Sequence, residues 1–440
     1  MESSKHLILG AGLAGLSAGY HLTEPFDIFE AAHDVGGVAG STIIDNFTFD
    51  HAIHVLYTSD PYSSKLIRSL LADNFVEQER SAWIFSNKTF TRYPYQTNMY
   101  GLPAHVIDQN LQELLKTRTL PAHIVQNFED WILATFGEGI ARNFMFPFNR
   151  KLWAADLREM GFQWIAERVP QPDVRQIMAG ALRPSLDRFG PNATFWYPRC
   201  GGTSALPRSF LPFLPSIRTS MRCVDVDGQR HTVRFHNGEL FEYTTLISTI
   251  PLPQLISILK NIPDRIRRLA SGLRANRVLT INLGIARESI SAAHWIYVPE
   301  PEFEFHRISF PMNFSKTLGP KGTSSIMAEI SESEVKPIEH RGLVERTVAQ
   351  LIRMGILNRS DTILCSGVTS IDPAYVIYGL DHEARVMEIQ HFLLSQDIIS
   401  CGRFGAWKYL NMDHAILSGK CAAQMAMNKR EGIVNVMFTE

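Results

Sequence analysis

A short apolar run at residues 6–9 leads directly into Gly10-Ala-Gly12-Leu-Ala-Gly15, after which apolar positions take helical spacing to about Leu22. Residues 26–30, Phe-Asp-Ile-Phe-Glu, return to a strand-like run. This pattern predicts strand, helix and second strand in quick succession, a βαβ unit. From about Leu102 to Val169 the character changes. His105-Val-Ile, Leu111 and Leu114-Leu115 keep helical spacing, as does the stretch 125–144, so a helical subdomain is expected there. After Pro198 strands return. Residues 222–226 and 232–235 read as a hairpin around Asp227-Gly228, and 243–250 as a buried strand closed by Pro251. Runs at 279–285, 295–298, 306–310 and 325–330 predict a second sheet, unlike the parallel one. A strand at 398–401 and a helix from about Asp413 follow.

The glycines give the first unit its chemistry. Gly10, Gly12 and Gly15 fit G-x-G-x-x-G between a strand and a helix, with Leu13 and Ala14 supplying helix-start amides between them. The first glycine permits the tight turn, the second lets a pyrophosphate reach the backbone, and the third allows helix to pack on strand. Glu30 ends the second strand, where a carboxylate accepts from a ribose hydroxyl. A merely structural glycine turn would need none of these companions. Gly36-Gly37 is a second close backbone approach. The late strand ending Ser248-Thr249-Ile250-Pro251 and the strand-glycine-helix at 402–414, with Asp413 near the helix start, make the domain discontinuous. That arrangement points to FAD; an NAD domain is usually contiguous. Capping alone also explains Asp413.

The expected class is therefore α/β: a discontinuous Rossmann-type FAD-binding domain, a helical subdomain and a mostly antiparallel sheet domain. The first takes residues 1–75, 200–255 and 385–440. Residues 100–185 form the helical substrate subdomain. Residues 76–99, 186–199 and 256–384 form the antiparallel substrate domain.

Composition adds mainly exclusions. A formal net charge of −1 gives no electrostatic reason to expect nucleic acid or an anionic membrane, so an anionic ligand must meet local arginines. The five cysteines are odd in number, scattered and without a C-x-x-C pair, which argues for a reducing compartment and against zinc or another bound metal. No apolar run is long enough to span a bilayer, and the start shows no leader pattern. The expectation is a cytoplasmic protein without integral membrane association.

Several further stretches resemble the UDP-galactopyranose mutases, especially their eukaryotic-type branch. They are Arg92-Tyr-Pro-Tyr-Gln96, Phe146-Pro-Phe-Asn149 with Trp153, Glu167-Arg168-Val-Pro, and Gly190-Pro-Asn-Ala-Thr-Phe195. Gly201-Gly-Thr203, Ser331-Glu-Ser333 with Lys336-Pro337, and Gly402-Arg-Phe-Gly405 with Trp407 and Tyr409 continue the series in family order. The resemblance implies an isomerase that interconverts pyranose and furanose forms of a UDP-sugar, as UDP-galactopyranose to UDP-galactofuranose for cell-surface glycans. It implies reduced FAD as cofactor, its N5 being the nucleophile at the anomeric carbon. NAD(P)H is one candidate reductant, a nucleotide sugar the partner, and a homodimer one open assembly.

The resemblance also implies roles. Arg168 and Arg307 match arginines that grip the diphosphate; a plain ion pair is the bland alternative, for Arg168 with Glu167. Tyr297, Tyr375 and Tyr409 match hydroxyl donors to the same phosphates, against simple aromatic packing. Tyr93, Tyr95 and Gln96 match the uridine pocket, and Asn149, Trp153 and Asn192 match pocket-lining positions. His54 matches the histidine beside the isoalloxazine and Arg403 the arginine near the flavin carbonyls, while Gly10, Gly12, Leu13, Ala14, Gly15, Glu30, Gly37, Tyr409 and Asp413 complete the cofactor set. The chain departs from the family before His54, where two glycines are usual and Ala52-Ile53 stand here. Tyr95 replaces a usual phenylalanine and Lys408 an arginine. Two other readings stay open: a flavin oxidoreductase of the amine-oxidase or protoporphyrinogen-oxidase type, and a relative that binds a nucleotide sugar without contracting it.

Overall fold

In a computed structural model, residues 6–119, 124–165, 169–184 and 192–428 are described. The first strand, His6–Leu9, lies between Phe26–Phe29 and Thr245–Ser248, and Ile398–Ser400 follows at the edge; all pair in parallel. Strands covered on both faces need apolar side chains on both, which is why these read as unbroken apolar runs. Helices Leu13–His21 and Met412–Asn428 cover one face. The antiparallel strands Cys223–Asp227, Thr232–Phe235 and Leu240–Glu242 pack on the other, with the helices Leu252–Ile258 and His382–Leu394. The hairpin expected at Asp227-Gly228 is present.

The second sheet has seven strands in the order Ile363–Ile371, Arg277–Ile285, Ser324–Glu332, Arg307–Ser309, Trp295–Tyr297, Ala82–Ser86 and Thr89–Arg92. It is antiparallel except where Trp295–Tyr297 meets Ala82–Ser86. The helical part contains Ala104–Thr119, Phe128–Ile140, a π-helical turn at Ala141–Met145, Phe146–Trp153 and Val174–Leu182. Asn127 and Asp173 start two of these by accepting from the amides of Asp130 (3.0 Å) and Gln176 (2.9 Å). The stretch expected as one helix over 125–144 is kinked at Gly137, with φ +74°. The α/β class with a Rossmann-type domain, helices and a mostly antiparallel sheet is the observed one. Among the described residues no helix is long and apolar enough to cross a membrane.

A small hairpin, Ser41–Ile44 with Phe47–Asp50, joins the two sheets. Asp45 and Asn46 at its tip both take positive φ, as a primed turn requires. Its last residue, Asp50, is buried. The carboxylate accepts from Ser41 Oγ (2.8 Å), Thr203 N (2.9 Å) and Tyr197 Oη (2.6 Å). Burial pushes the Asp50 carboxyl up, and the three donors oppose that. The anchor fixes the chain immediately before residues 51–54. Replacing Tyr197 with phenylalanine leaves a buried acceptor short of a donor and is expected to cost about 1–3 kcal/mol in urea unfolding. A cost near zero would show that the anchor contributes nothing.

Candidate active site

A cleft of about 1140 Å³ opens between the carboxyl ends of the parallel strands and one face of the seven-stranded sheet. Open α/β sheets bind ligands at those strand ends, and a small-molecule site is usually about 300–1,000 Å³. The space here suits a dinucleotide with a second ligand.

Backbone builds the first arm. Gly10 has φ +99°, and a Cβ there would lie 2.2 Å from Thr249 Oγ1. A Cβ on Gly15 would lie 1.9 Å from the Gly10 carbonyl oxygen, so the fold itself demands both glycines. Gly12 differs. A Cβ there would meet only Gly36 O, at 3.9 Å, and Gly12, Leu13 and Ala14 all line the cleft. The space a side chain would fill is free of protein, which fits a phosphate against the first-turn amides of the helix. Glu30 is held in place by the amides of Ala11 (2.7 Å) and Ala32 (2.8 Å), and Gly37 lines the same arm. Opposite stands the start of the helix Met412–Asn428. Asp413 is buried there, and its Oδ1 accepts no hydrogen bond from a described residue.

Side chains build the second arm. Directly paired residues on neighbouring strands project from the same face. The pairs Tyr297–Arg307, Arg307–Glu329 and Glu329–Thr280 therefore place four side chains in one row. Arg307 donates from Nε to Glu329 Oε1 (3.1 Å) and from Nη2 to Oε2. No described residue takes a hydrogen bond from its Nη1, and Arg307 lines the cleft. Burial opposes the Glu329 charge, but Arg307 and His306 hold the carboxyl down at about 2. Thus the ion pair is the observed arrangement of Arg307, and it leaves Nη1 without a described acceptor.

His54 donates from Nδ1 to the Ala52 carbonyl, 2.9 Å away; a carbonyl only accepts, so the proton sits on Nδ1. Burial, and then the Arg403 charge, push the ring down to about 4. Arg403 donates to the carbonyls of Leu410 (3.0 Å) and Ala374 (2.9 Å) and lies over the ring of Tyr409, 4.5 Å from its centroid. Tyr409 stacks on Tyr375 at 5.7 Å. Tyr93 packs against Tyr297 at 5.2 Å, and Asn192 accepts from Arg80 (2.7 Å). All five of these residues line the cleft together with His54 and Arg403.

Other expected residues lie elsewhere. Tyr95 is fully buried, stacked on Phe144 and bonded to Asn110 (3.2 Å). Gln96 donates to the Pro170 carbonyl (2.7 Å), and Asn149 accepts from Trp153 Nε1 (3.2 Å). These four sit in the core of the helical subdomain and not on the cleft wall. Arg168 lies outside the described residues. Among those described, no three His, Cys, Asp or Glu side chains come together as a metal site. Sequence reading missed Glu329 and Thr280. A glutamate inside the apolar run Ile326-Met-Ala-Glu-Ile330 was the available signal, because a buried carboxylate demands a partner.

Residues 8–72 match the NAD(P)-binding Rossmann-like domain family. A solved structure of reduced UDP-galactopyranose mutase superposes with TM-score 0.93 at 29% identity, covering 98% of this chain and 95% of that one. A candidate protoporphyrinogen oxidase from Exiguobacterium sp. 255-15 gives 0.75 at 16% identity, over 97% of this chain and 100% of that one. Putrescine oxidase bound to putrescine gives 0.69 at 14%, over 97% and 99%. These last two likenesses show fold alone. The mutase match, with the Rossmann-like domain match, supports a flavin cofactor and an enzyme of the flavoprotein class. Through its whole fold, as through its motifs, the chain resembles the UDP-galactopyranose mutase family.

Proposed function

We propose that this chain is an FAD-dependent mutase interconverting pyranose and furanose forms of a UDP-sugar of the UDP-galactopyranose type. The observation that carries the reading is Arg307: a cation rising from the floor of the dinucleotide cleft, beside Tyr297. Such a group suits a diphosphate. An amine substrate, itself a cation, would have no use for it there.

Reduced FAD, when bound, supplies a nucleophile in its N5 for the anomeric carbon of the sugar. The protein's own work is to hold and release charge at the right places. Arg307 neutralises the diphosphate and stabilises UDP as a leaving group, through charge-assisted bonds of about 1.5–3 kcal/mol. UDP must stay nearby to rejoin the contracted sugar, and Arg307 with the hydroxyls of Tyr297, Tyr375 and Tyr409 retains it. Neutral His54, with its proton on Nδ1, offers Nε2 as an acceptor beside the flavin. Arg403 adds positive charge near the flavin carbonyls. Arg168 completes the grip in this reading, Tyr93 borders the uridine and Asn192 lines the pocket near the substrate. NAD(P)H is the reductant we assign, and a cytoplasmic setting goes with it.

The direct test is incubation of chemically reduced protein with UDP-galactopyranose and chromatography of the products. A furanose product that disappears with oxidised protein is expected; no turnover, with oxygen consumed on an amine, would overturn the reading. Arg307→Ala should weaken UDP binding by about 10–100-fold in titration calorimetry. Arg307→Lys, which keeps a charge beside Glu329, guards against confusing this with unfolding.

Gly12→Ala should leave thermal stability nearly unchanged while FAD content of the purified protein falls. Gly15→Ala, blocked by the Gly10 carbonyl, should not fold. Equal FAD content in Gly12→Ala and wild type would remove the phosphate from this position.

His54 should contribute no limb to the pH–rate profile between pH 5 and 8, since its ring is pushed down to about 4. The unfolded chain binds that proton more tightly. Its contribution to stability is therefore complete above about 6.5 and is lost as the pH falls toward 4. Melting curves of wild type and His54→Asn across that window check the sign.

A further inference from the structure

Residues 51–54 cross the cleft between its two arms, and two neighbouring side chains of the sheet hold them. Thr280 Oγ1 donates to the His51 carbonyl at 3.0 Å, and Glu329 Oε1 accepts from the Ile53 amide at 3.3 Å. Thr280 and Glu329 are direct partners across the strands Arg277–Ile285 and Ser324–Glu332. The same Glu329 carboxylate takes both nitrogens of the Arg307 fork, and Arg307 is its partner on the opposite side. Glu329 is fully buried and touches the cleft only through these neighbours.

The loop is thus bonded to the same oxygen that fixes Arg307. Oε1 serves both Ile53 N and Arg307 Nε, and a shift of the carboxylate along the row lengthens one bond or the other. Neither Ala52 nor Ile53 has a positive φ, so no left-handed backbone gives the loop another way to sit. His54 is tied in turn to the Ala52 carbonyl, inside this held segment.

We propose that Glu329 is a positioning residue that couples the segment carrying His54 to Arg307, so that a phosphate ligand at Arg307 and the wall around His54 are set by one carboxylate. The proposal rests on the reading of Arg307 as the phosphate grip. It makes Glu329 more than a counter-ion, because a counter-ion would leave residues 51–54 indifferent to what binds Arg307. Coupling of this kind is reciprocal: whatever orders one end must order the other.

The test is amide hydrogen exchange over residues 51–54 in the flavin-loaded protein, with and without saturating UDP. Wild type should show the Ile53 amide slowed about fivefold by UDP, the scale of one strengthened hydrogen bond. Glu329→Gln keeps the shape but not the charge. It should lose that protection and bind UDP about tenfold more weakly. Thr280→Val removes the other tether only. It should exchange faster without ligand, yet keep both the UDP affinity and the UDP-induced protection. If Glu329→Gln does not fold, Glu329→Asp serves, since the shorter side chain can pair with Arg307 but not span to Ile53. UDP protection in the Glu329 variant equal to wild type, or none in a wild type that binds UDP, would overturn the coupling. A wild type that does not bind UDP would instead sink the reading of Arg307. The tether is then judged on ligand-free exchange: faster Ile53 exchange in the Glu329 variant supports it, and unchanged exchange overturns it.

Discussion

The ion pair of Arg307 with Glu329 is the constraint around which the cleft is arranged. Glu329 is fully buried on a strand with every residue buried, and an unpaired carboxylate in such a place would be destabilising by several kcal/mol, as an order of magnitude. It is tolerated because two nitrogens of Arg307 and the Ile53 amide satisfy its oxygens, with the His306 ring 3.6 Å away. That requirement fixes the register of three strands, since a slip of one residue would turn Glu329 to the other face. Tyr297, on the strand beyond, and Thr280, on the other side, take their places in consequence.

The two arms of the cleft use different physics. The parallel sheet offers strand ends, helix-start amides and the open space at Gly12, all contributed by backbone. The seven-stranded sheet offers side-chain charge and hydroxyls. A protein of nearly zero net charge can hold an anionic ligand this way, because field strength inside a partly desolvated cleft is set by a few fixed groups. Arg403 and Arg307 divide the labour. Arg403 is pinned by two carbonyls and stacked rings and acts as a fixed charge. Arg307 spends two nitrogens on Glu329, and no described residue takes a hydrogen bond from the third.

Much of this was legible in the sequence where the signal is local. The glycine motif, Glu30, the buried parallel strands and the hairpin at Asp227-Gly228 depend on residues close together in the chain. The row Tyr297–Arg307–Glu329–Thr280 was not legible as a row. Its members are brought together by register between strands that are distant in sequence, and periodicity carries no register. Tyr95, Gln96, Asn149 and Trp153 illustrate the converse. An aromatic or amide in a motif looks the same whether it faces a ligand or closes a core, and only burial and partners tell the two apart. Here Asn110, Phe144 and the Pro170 carbonyl are those partners.

Ala52-Ile53 takes its meaning from the same row. Glycine is needed where backbone must reach positive φ or pass close to another group. Neither condition holds at 52 or 53, where the backbone is ordinary and held from the sheet below. The Ile53 side chain packs against the buried cluster that includes Phe47 and Phe49, and it also lines the cleft. Part of its bulk is taken up by that cluster, and its amide bonds Glu329. A glycine pair in this position would give up that apolar contact and gain backbone freedom that the two tethers already oppose. The departure before His54 is therefore consistent with a stiffer wall around the same cleft, one whose position is governed by the carboxylate beneath it.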